Sequence, residues 1–447
     1  MKKVITYGTF DLFHQGHYNI LKRAKALGDY LIVGVTGESY DMERGKLSVR
    51  DNLVTRIENV QKTGFADQII IEEYLGQKIH DVIEYDVDIL VVGSDWKGKF
   101  DHLRKYCEVV YLERTKDISS TLLREKNGEI YRLGIATDTL SDNDAVQESK
   151  YVSGIHAESV FCEEQAIAES FCGHFELDKY TTDFDEFLQG IEILYVKTAR
   201  EKRYSLIKKA LLAGKHVISD PAITLESEKL KELFDIARDK KVILLENMPT
   251  LYLQAFNQLL WNARGNLIGD LVSVKCGVNR NALIAEETAD LYDCIALPIC
   301  VLTKMLGMQY EINVKAIKDA EGNVIYAMLM NEGENLNTAF AFEVGMDVEV
   351  DSGMLILGTA GSIAVPGDWW KTGYFKMQTA IGGDSNFKRY SSNFEGNGFR
   401  YIIQSILSMI GDERIWTTRV LPEEQIKTTE ILKNVKVLIG DSSDEDN

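Results

Sequence analysis

No run of about 18 apolar residues occurs anywhere in the sequence, so a membrane-spanning helix is not expected. The start, Met1-Lys2-Lys3 leading directly into Val4-Ile5-Thr6-Tyr7, lacks the apolar stretch of a signal peptide, and a cytoplasmic protein without membrane insertion is the expectation. The six cysteines (Cys107, Cys162, Cys172, Cys276, Cys294 and Cys300) include no CxxC and no pairing with histidine at metal-ligand spacing. They read as buried free thiols, and no protein-held metal is expected. Histidine is scarce: none of the seven lies beyond His216, which excludes any mechanism that needs an imidazole from the rest of the chain. Basic residues are outnumbered 50 to 69, a formal charge of -19 whose field repels nucleic-acid phosphates, so no nucleic-acid partner is expected. The deficit is uneven. Residues 1–130 carry 19 Lys and Arg against 21 Asp and Glu, and the remainder 31 against 48, so the near-neutral first part is the one suited to a polyanion. Internal repeats and low-complexity segments are also lacking.

What is present is length, 447 residues with 45% hydrophobic, enough for two to four domains with their own cores. Short β-branched runs (3–7, 30–36, 68–72, 89–93, 109–112) alternate with amphipathic stretches (18–27, 50–63, 77–85, 119–126) through the first 125 residues. That alternation means an α/β fold with a parallel sheet. After the polar stretch Glu125-Lys126-Asn127-Gly128 the pattern restarts: strands over 130–136, 151–155, 191–197, 216–219 and 242–246, helices over 159–171, 204–213 and 225–239. Past Asp270 the runs lengthen (271–278, 310–317, 324–330, 338–343, 354–363) without intervening helices. This reads as an antiparallel sheet joined to late helices near 396–410 and 423–434. The expected organisation is a Rossmann-like parallel-sheet domain (1–128), a second Rossmann-like domain (129–248), an α+β open-sheet domain (249–440) and an acidic, disordered tail (441–447).

Gly8-Thr9-Phe10-Asp11-Leu12-Phe13-His14-Gln15-Gly16-His17 falls between the first strand and the first helix, the crevice where open α/β sheets bind ligands. Gly8 lets a phosphate approach the backbone, and the following helix N-terminus offers N–H groups and positive dipole. His14 and His17, three apart, project to one side of the first turn and can donate hydrogen bonds to the extra charge of a pentacoordinate phosphorus. At this motif the sequence resembles the cytidylyltransferase family of the HxGH nucleotidyltransferases. Gly93-Ser94-Asp95-Trp96 with Gly98-Lys99-Phe100-Asp101, and Arg114-Thr115-Lys116-Asp117-Ile118-Ser119-Ser120-Thr121, resemble that family's later motifs.

Within the family the likeness is to the glycerol-3-phosphate cytidylyltransferases, over essentially all of residues 1–126. The resemblance implies catalytic roles for His14, His17, Lys46 and Arg114, and nucleotide contacts from Gly8, Thr9, Phe10, Asp95, Thr115, Ile118, Ser119, Ser120 and Thr121. Arg44 and Lys78 would meet the phosphate of the acceptor. It also implies CTP and a polyol phosphate as substrates, and Mg²⁺ bound mainly through the CTP phosphates. Arg44 stands in for a usual lysine, a bidentate fork for a point charge. Asp117 replaces a glycine and Leu75 a tryptophan, departures that bear on which polyol is held.

A second likeness runs from 189 to 278. Gly190 to Thr198, Ala210 to Pro221, Leu245-Glu246-Asn247-Met248 and Gly269 to Val274 resemble the glucose-fructose oxidoreductase and inositol dehydrogenase family. Its members pair an NAD(P)-binding Rossmann domain with an open-sheet domain that commonly forms the oligomer interface, so a homo-oligomer is implied. The chemistry does not carry over. Where a dinucleotide needs G-x-G-x-x-G the chain has Gly134-Ile135-Ala136-Thr137-Asp138-Thr139-Leu140, and the family's Glu-Lys-Pro reads Ser219-Asp220-Pro221. Its proline and histidine after the preceding strand align with Ala199 and Arg203, and its later acid, beyond an Asp matching Asp293, with Leu297. NAD(P) is therefore not expected. Two readings remain for Arg200, Lys202 and Arg203 at the old cofactor mouth: an anion site, or a solvated surface patch on a degenerate module kept for oligomerisation or stability. An active oxidoreductase working on the polyol precursor is the alternative for the module.

Overall fold

The computed structural model describes residues 1–43, 49–74, 76–113, 130–140, 144–284, 290–332, 338–379 and 386–440. Their contacts gather into two units, residues 1–131 with 150–155, and residues 132–149 with 156 onward.

In the first unit β1 (Lys3–Gly8), β2 (Tyr30–Thr36), β3 (Gln68–Glu72), β4 (Ile89–Gly93) and β5 (Glu108–Leu112) form one parallel sheet in the order β3-β2-β1-β4-β5. The central strands are near-continuous apolar runs because both faces are covered: all of β2 after Tyr30 is buried. One core holds Val4, Leu21, Val33 and Val60, the other Ile5, Ile32, Leu90 and Leu103. The first helix, Gln15–Lys25, turns Leu21 and Ala24 inward and ends on Lys22, Arg23 and Lys25, cations at the negative end of its dipole.

The second unit contains two sheets. β6 (Tyr131–Thr137), β7 (Ile155–Phe161), β8 (Lys179–Thr181), β9 (Ile193–Lys197), β10 (His216–Ser219) and β11 (Leu244–Glu246) run in the order β11-β10-β9-β6-β7-β8. The third sheet orders β12 (Leu271–Asn279), β13 (Glu311–Lys318), β14 (Val324–Glu332), β15 (Ala339–Gly345), β16 (Met354–Gly358), β17 (Gly361–Val365), β18 (Tyr374–Thr379) and β19 (Asn386–Ser391) as β13-β14-β15-β12-β16-β17-β18-β19.

Several expectations are corrected. The third sheet is mixed, because β12 lies parallel to β15 while its other neighbour, β16, is antiparallel. The run 354–363 is a hairpin, turned at Thr359-Ala360 between β16 and β17. Of the expected strand 151–155 only Ile155 is one: the chain turns at Gly154, with φ +94°, and the strand is Ile155–Phe161, which displaces the expected helix to Gln165–Phe175. A long helix, Leu291–Leu306, interrupts the region read as all strand. It is buried on nearly every side and includes Pro298, so it has no amphipathic period to read. All six cysteines are free, five buried and Cys172 half-buried. Among the described residues no helix is long and apolar enough to cross a membrane.

Candidate active site

The loop leaving β1 packs against itself before it enters the first helix. The space that a side chain at Gly8 would need is taken by the Phe10 ring, 3.0 Å from an ideal Cβ. Phe10 is buried, leaving its backbone as the part a ligand can meet, and Thr9 is buried with its hydroxyl donating to Asp41 Oδ1 at 3.0 Å. His14 is the N-cap of the helix: its Nδ1 accepts the Gly16 N–H at 3.0 Å. That bond places the proton of neutral His14 on Nε2, turning the far side of the ring into a donor. The His17 ring stacks on it, centroids 3.9 Å apart and planes 21° apart, with Phe10 and Phe13 at 5.4 and 5.5 Å. The N-cap and the third helical residue thus bring two adjacent imidazoles together at a helix N-terminus, an arrangement that can stabilise charge on a phosphoryl group.

Lys78, on the helix Gln77–Glu84, is half-buried and ion-paired with Glu72, whose Oε2 accepts the Thr36 hydroxyl at 3.1 Å. Its ammonium lies 4.5 Å from the Tyr7 ring centroid and 5.6 Å from that of Phe100. Tyr7 donates to Asp81 at 2.8 Å, and burial together with that carboxylate pushes its phenol well above the usual range. Arg44, Lys46, Arg114, Thr115, Ile118, Ser119, Ser120 and Thr121 lie outside the described residues, as do Leu75, Asp117 and the acidic tail; of Asp95 only the backbone is described, in the short helix Ser94–Trp96.

In the second unit strand order reverses between β6 and β9, the place where open α/β sheets take their ligands. There the protein spans its own gap: Asp138, just past β6, accepts the Ala199 N–H, just past β9, at 2.8 Å. The segment from Asp138 to Asn143 contains no glycine. Gly134, read above as the surviving member of the fingerprint, sits inside β6, where a Cβ would come within 2.5 Å of the Phe187 ring. It is a packing glycine. Asp220 accepts the Tyr195 hydroxyl at 2.6 Å and the Asn247 amide at 2.9 Å.

Arg200 and Arg203 are paired inside the protein rather than solvated at its surface. Arg200 grips Asp290 with two bonds, at 2.7 and 2.6 Å, and reaches Asp293 at 2.8 Å. Despite burial, those bonds raise its already high pKa. Arg203 is buried on the carbonyls of Thr198, Pro221 and Ala222. Lys202 is the most open of the three, half-buried, and it pairs with Glu163 at 2.6 Å. Two of the three cations are internal struts, satisfied by carboxylates and carbonyls. Leu297 is buried apolar core.

Residues 5–126 match the cytidylyltransferase-like family. Glycerol-3-phosphate cytidylyltransferase of Bacillus spizizenii is 48% identical over 125 residues, 28% of this chain and 96% of that protein. The chain belongs to the cytidylyltransferase family. The Staphylococcus aureus glycerol-3-phosphate cytidylyltransferase is 44% identical over 126 residues, 28% of this chain and 95% of that protein. Residues 143–248 match the oxidoreductase family with NAD-binding Rossmann fold. Among solved structures, a 3-ketoreductase from Actinomadura kijaniata, determined with TDP-benzene and NADP, aligns with a TM-score of 0.59 at 14% identity, over 69% of this chain and 97% of its own. UDP-N-acetylglucosamine 3-dehydrogenase from Acidithiobacillus ferrooxidans gives 0.58 at 14% identity over the same shares. The likeness of the second unit is one of fold: a cytidylyltransferase domain is fused to an oxidoreductase module of the glucose-fructose oxidoreductase and inositol dehydrogenase type.

Within the cytidylyltransferase domain, the structure brings His14, His17 and Phe10 into one cluster, with Thr9 tied to Asp41 beside it. Sequence reasoning missed Glu72, Asp41, Asp51 and Arg56. The one available signal was the placement of charged residues among apolar neighbours, which does not reveal the partner of each.

Proposed function

We propose that this cytidylyltransferase joins CTP to a small polyol phosphate, glycerol 3-phosphate first among candidates, to give a CDP-polyol and pyrophosphate. An oxygen of the acceptor phosphate attacks the α-phosphorus of CTP, and the bond to the β-phosphate oxygen breaks as pyrophosphate leaves. The nucleophile is already an anion near neutral pH, so positioning and charge stabilisation carry the rate. The observation that supports the reading most is the stacked His14–His17 pair at the head of a helix in a domain 48% identical to a glycerol-3-phosphate cytidylyltransferase. His14, His17, Lys46 and Arg114 would act on the phosphates, with Arg44 and Lys78 toward the acceptor. Mg²⁺ would arrive on the triphosphate, which suits an ion that keeps most of its waters. A cytoplasmic enzyme supplying cell-wall or capsular polymer synthesis, with its sheet domain pairing copies of the chain, completes the reading.

For the oxidoreductase module the family and the NADP-bound solved structures favour a cofactor, whereas the residues present do not fit one. The carboxylate of Asp138 occupies the switch point where a pyrophosphate would lie, no loop glycine admits it, and Asp220 stands where the family's lysine is needed. The module serves as a structural partner of the transferase. The deciding experiment follows pyrophosphate release from CTP with glycerol 3-phosphate, glycerol 2-phosphate, phosphoethanolamine and phosphocholine in parallel. Release with glycerol 3-phosphate is expected, and release with none of them overturns the assignment.

A further inference from the structure

Arg56 lies on the helix Leu53–Lys62, capped by Asn52, and is among the largest fully buried side chains of the protein. Its guanidinium bonds mainly to backbone. Nε donates to the Asp51 carbonyl at 3.0 Å, and Nη1 to the carbonyls of Thr36 at 2.7 Å and Thr9 at 2.8 Å. Asp41 Oδ2 is its one carboxylate partner among the described residues, at 3.4 Å, and the other oxygen of Asp41 accepts the Thr9 hydroxyl. Nη2 is buried with no acceptor among the described residues. As a stabilising ion pair this is a poor design: one distant carboxylate and one unsatisfied nitrogen set against the desolvation of a full charge. Stability alone does not account for it.

The segment it grips does. Phe10 and Leu12 both adopt left-handed backbone, with φ +57° and +48°, a conformation that costs an ordinary side chain about 1 kcal/mol or more. Such a loop relaxes unless it is held. Among the described residues, Arg50, Asp51 and Arg56 hold it before Phe10, between the two strained residues and at the Leu12 N–H. Arg56 takes the Thr9 carbonyl, immediately before Phe10. Asp11, between the two, accepts the N–H groups of Arg50 and Asp51 at 2.9 Å each. Asp51 accepts the Leu12 N–H at 3.0 Å. Two residues after Leu12 comes His14.

We propose that Arg56, backed by Asp41, is a positioning residue that holds the Thr9–Leu12 loop in its strained shape and thereby sets both the backbone that meets CTP and the entry of His14. It touches the loop and not the reacting atoms. The inference rests on the cytidylyltransferase reading of this domain.

The test compares wild type with Arg56→Lys, which keeps the charge and loses the fork, and with Asp41→Asn, in the full chain. Thermal unfolding is expected to stay within a few degrees of wild type in at least one variant. In that variant kcat at saturating CTP falls by roughly 10²-fold, the scale of a small misplacement at a reacting centre, and the KM for CTP rises by about tenfold. In Arg56→Ala, millimolar guanidinium chloride is expected to restore turnover where sodium chloride of equal ionic strength does not. A folded Arg56→Lys or Asp41→Asn enzyme with wild-type kcat and KM overturns the proposal, as does a loss of activity that only tracks the unfolded fraction. Calorimetric titration with CTP alone separates this from the identity of the acceptor. Weaker CTP binding by the variants supports the role of Arg56 even if wild type releases no pyrophosphate with any acceptor tested, and unchanged binding counts against it.

Discussion

Two parallel sheets in this chain end in crevices of the same kind, and the protein furnishes them in opposite ways. At the carboxyl end of β1 the side chains that could occupy the space are drawn down into a buried brace (Thr9 on Asp41, Arg56 on three carbonyls), so that backbone and two stacked imidazoles are left at the helix N-terminus. At the carboxyl end of β6 the side chains are used across the gap, Asp138 on Ala199, with Arg200 and Arg203 consumed by Asp290, Asp293 and backbone carbonyls nearby. A site needs unspent hydrogen-bonding capacity aimed outward. In the second crevice Asp138, Arg200 and Arg203 spend theirs within the protein.

That contrast can be broken or sharpened by experiment. The largest effect is expected from Arg200→Ala, which strands the largely buried Asp293 and the partly exposed Asp290 and should lower the unfolding free energy of the second unit by about 3 kcal/mol, the low end for a buried pair because solvent screens Asp290. Denaturant titration of tryptophan fluorescence reads it, since four of the five tryptophans lie beyond residue 260. Unchanged stability together with gain or loss of anion binding would make the cluster a ligand site after all. Next, His14→Ala or His17→Ala should cut pyrophosphate release by roughly 10²-fold, the cost of one preorganised donor, with the fold intact by circular dichroism. Near wild-type turnover in the double variant would remove the histidines from the mechanism.

A smaller effect concerns Glu246, at the end of β11, buried with its oxygens on the Ile223 N–H and the Gln425 amide. Burial pushes its carboxyl up to about 7, above the ordinary 4.5. The folded state therefore holds the proton more tightly than the unfolded chain. Its contribution is fully present below about pH 4.5 and is lost as pH rises through about 7, a swing on the order of 3 kcal/mol. Glu246→Gln should flatten the dependence of melting temperature on pH between 5 and 8, and an unchanged slope would assign it to other groups. The smallest effect is expected from the cofactor itself: NADPH fluorescence should be neither quenched nor shifted by micromolar full-length protein, and saturable quenching would restore the second crevice as a working dinucleotide site.

The parallel sheet of the first domain was legible because strands buried on both faces are written as unbroken apolar runs, as in Leu31-Ile32-Val33. The histidine pair was legible because the step from an N-cap to the third helical residue is a local property. The helix Leu291–Leu306 was hidden for the converse reason, since burial on all sides erases the period by which a helix is recognised. The strand Ile155–Phe161 was misread because its boundary depends on a turn at Gly154.

By itself, then, the sequence determined the fold class, the HxGH motif and the absence of the dinucleotide fingerprint, all set by residues near one another in the chain. Only the tertiary structure decided which charges are free. Arg56 meets Thr9 across 47 positions, Arg200 meets Asp290 across 90, and Asp138 meets Ala199 across 61. A side chain's partner depends on which strands the fold places side by side. Whether a cation waits for a substrate or is already neutralised therefore appears only once the sheets are assembled.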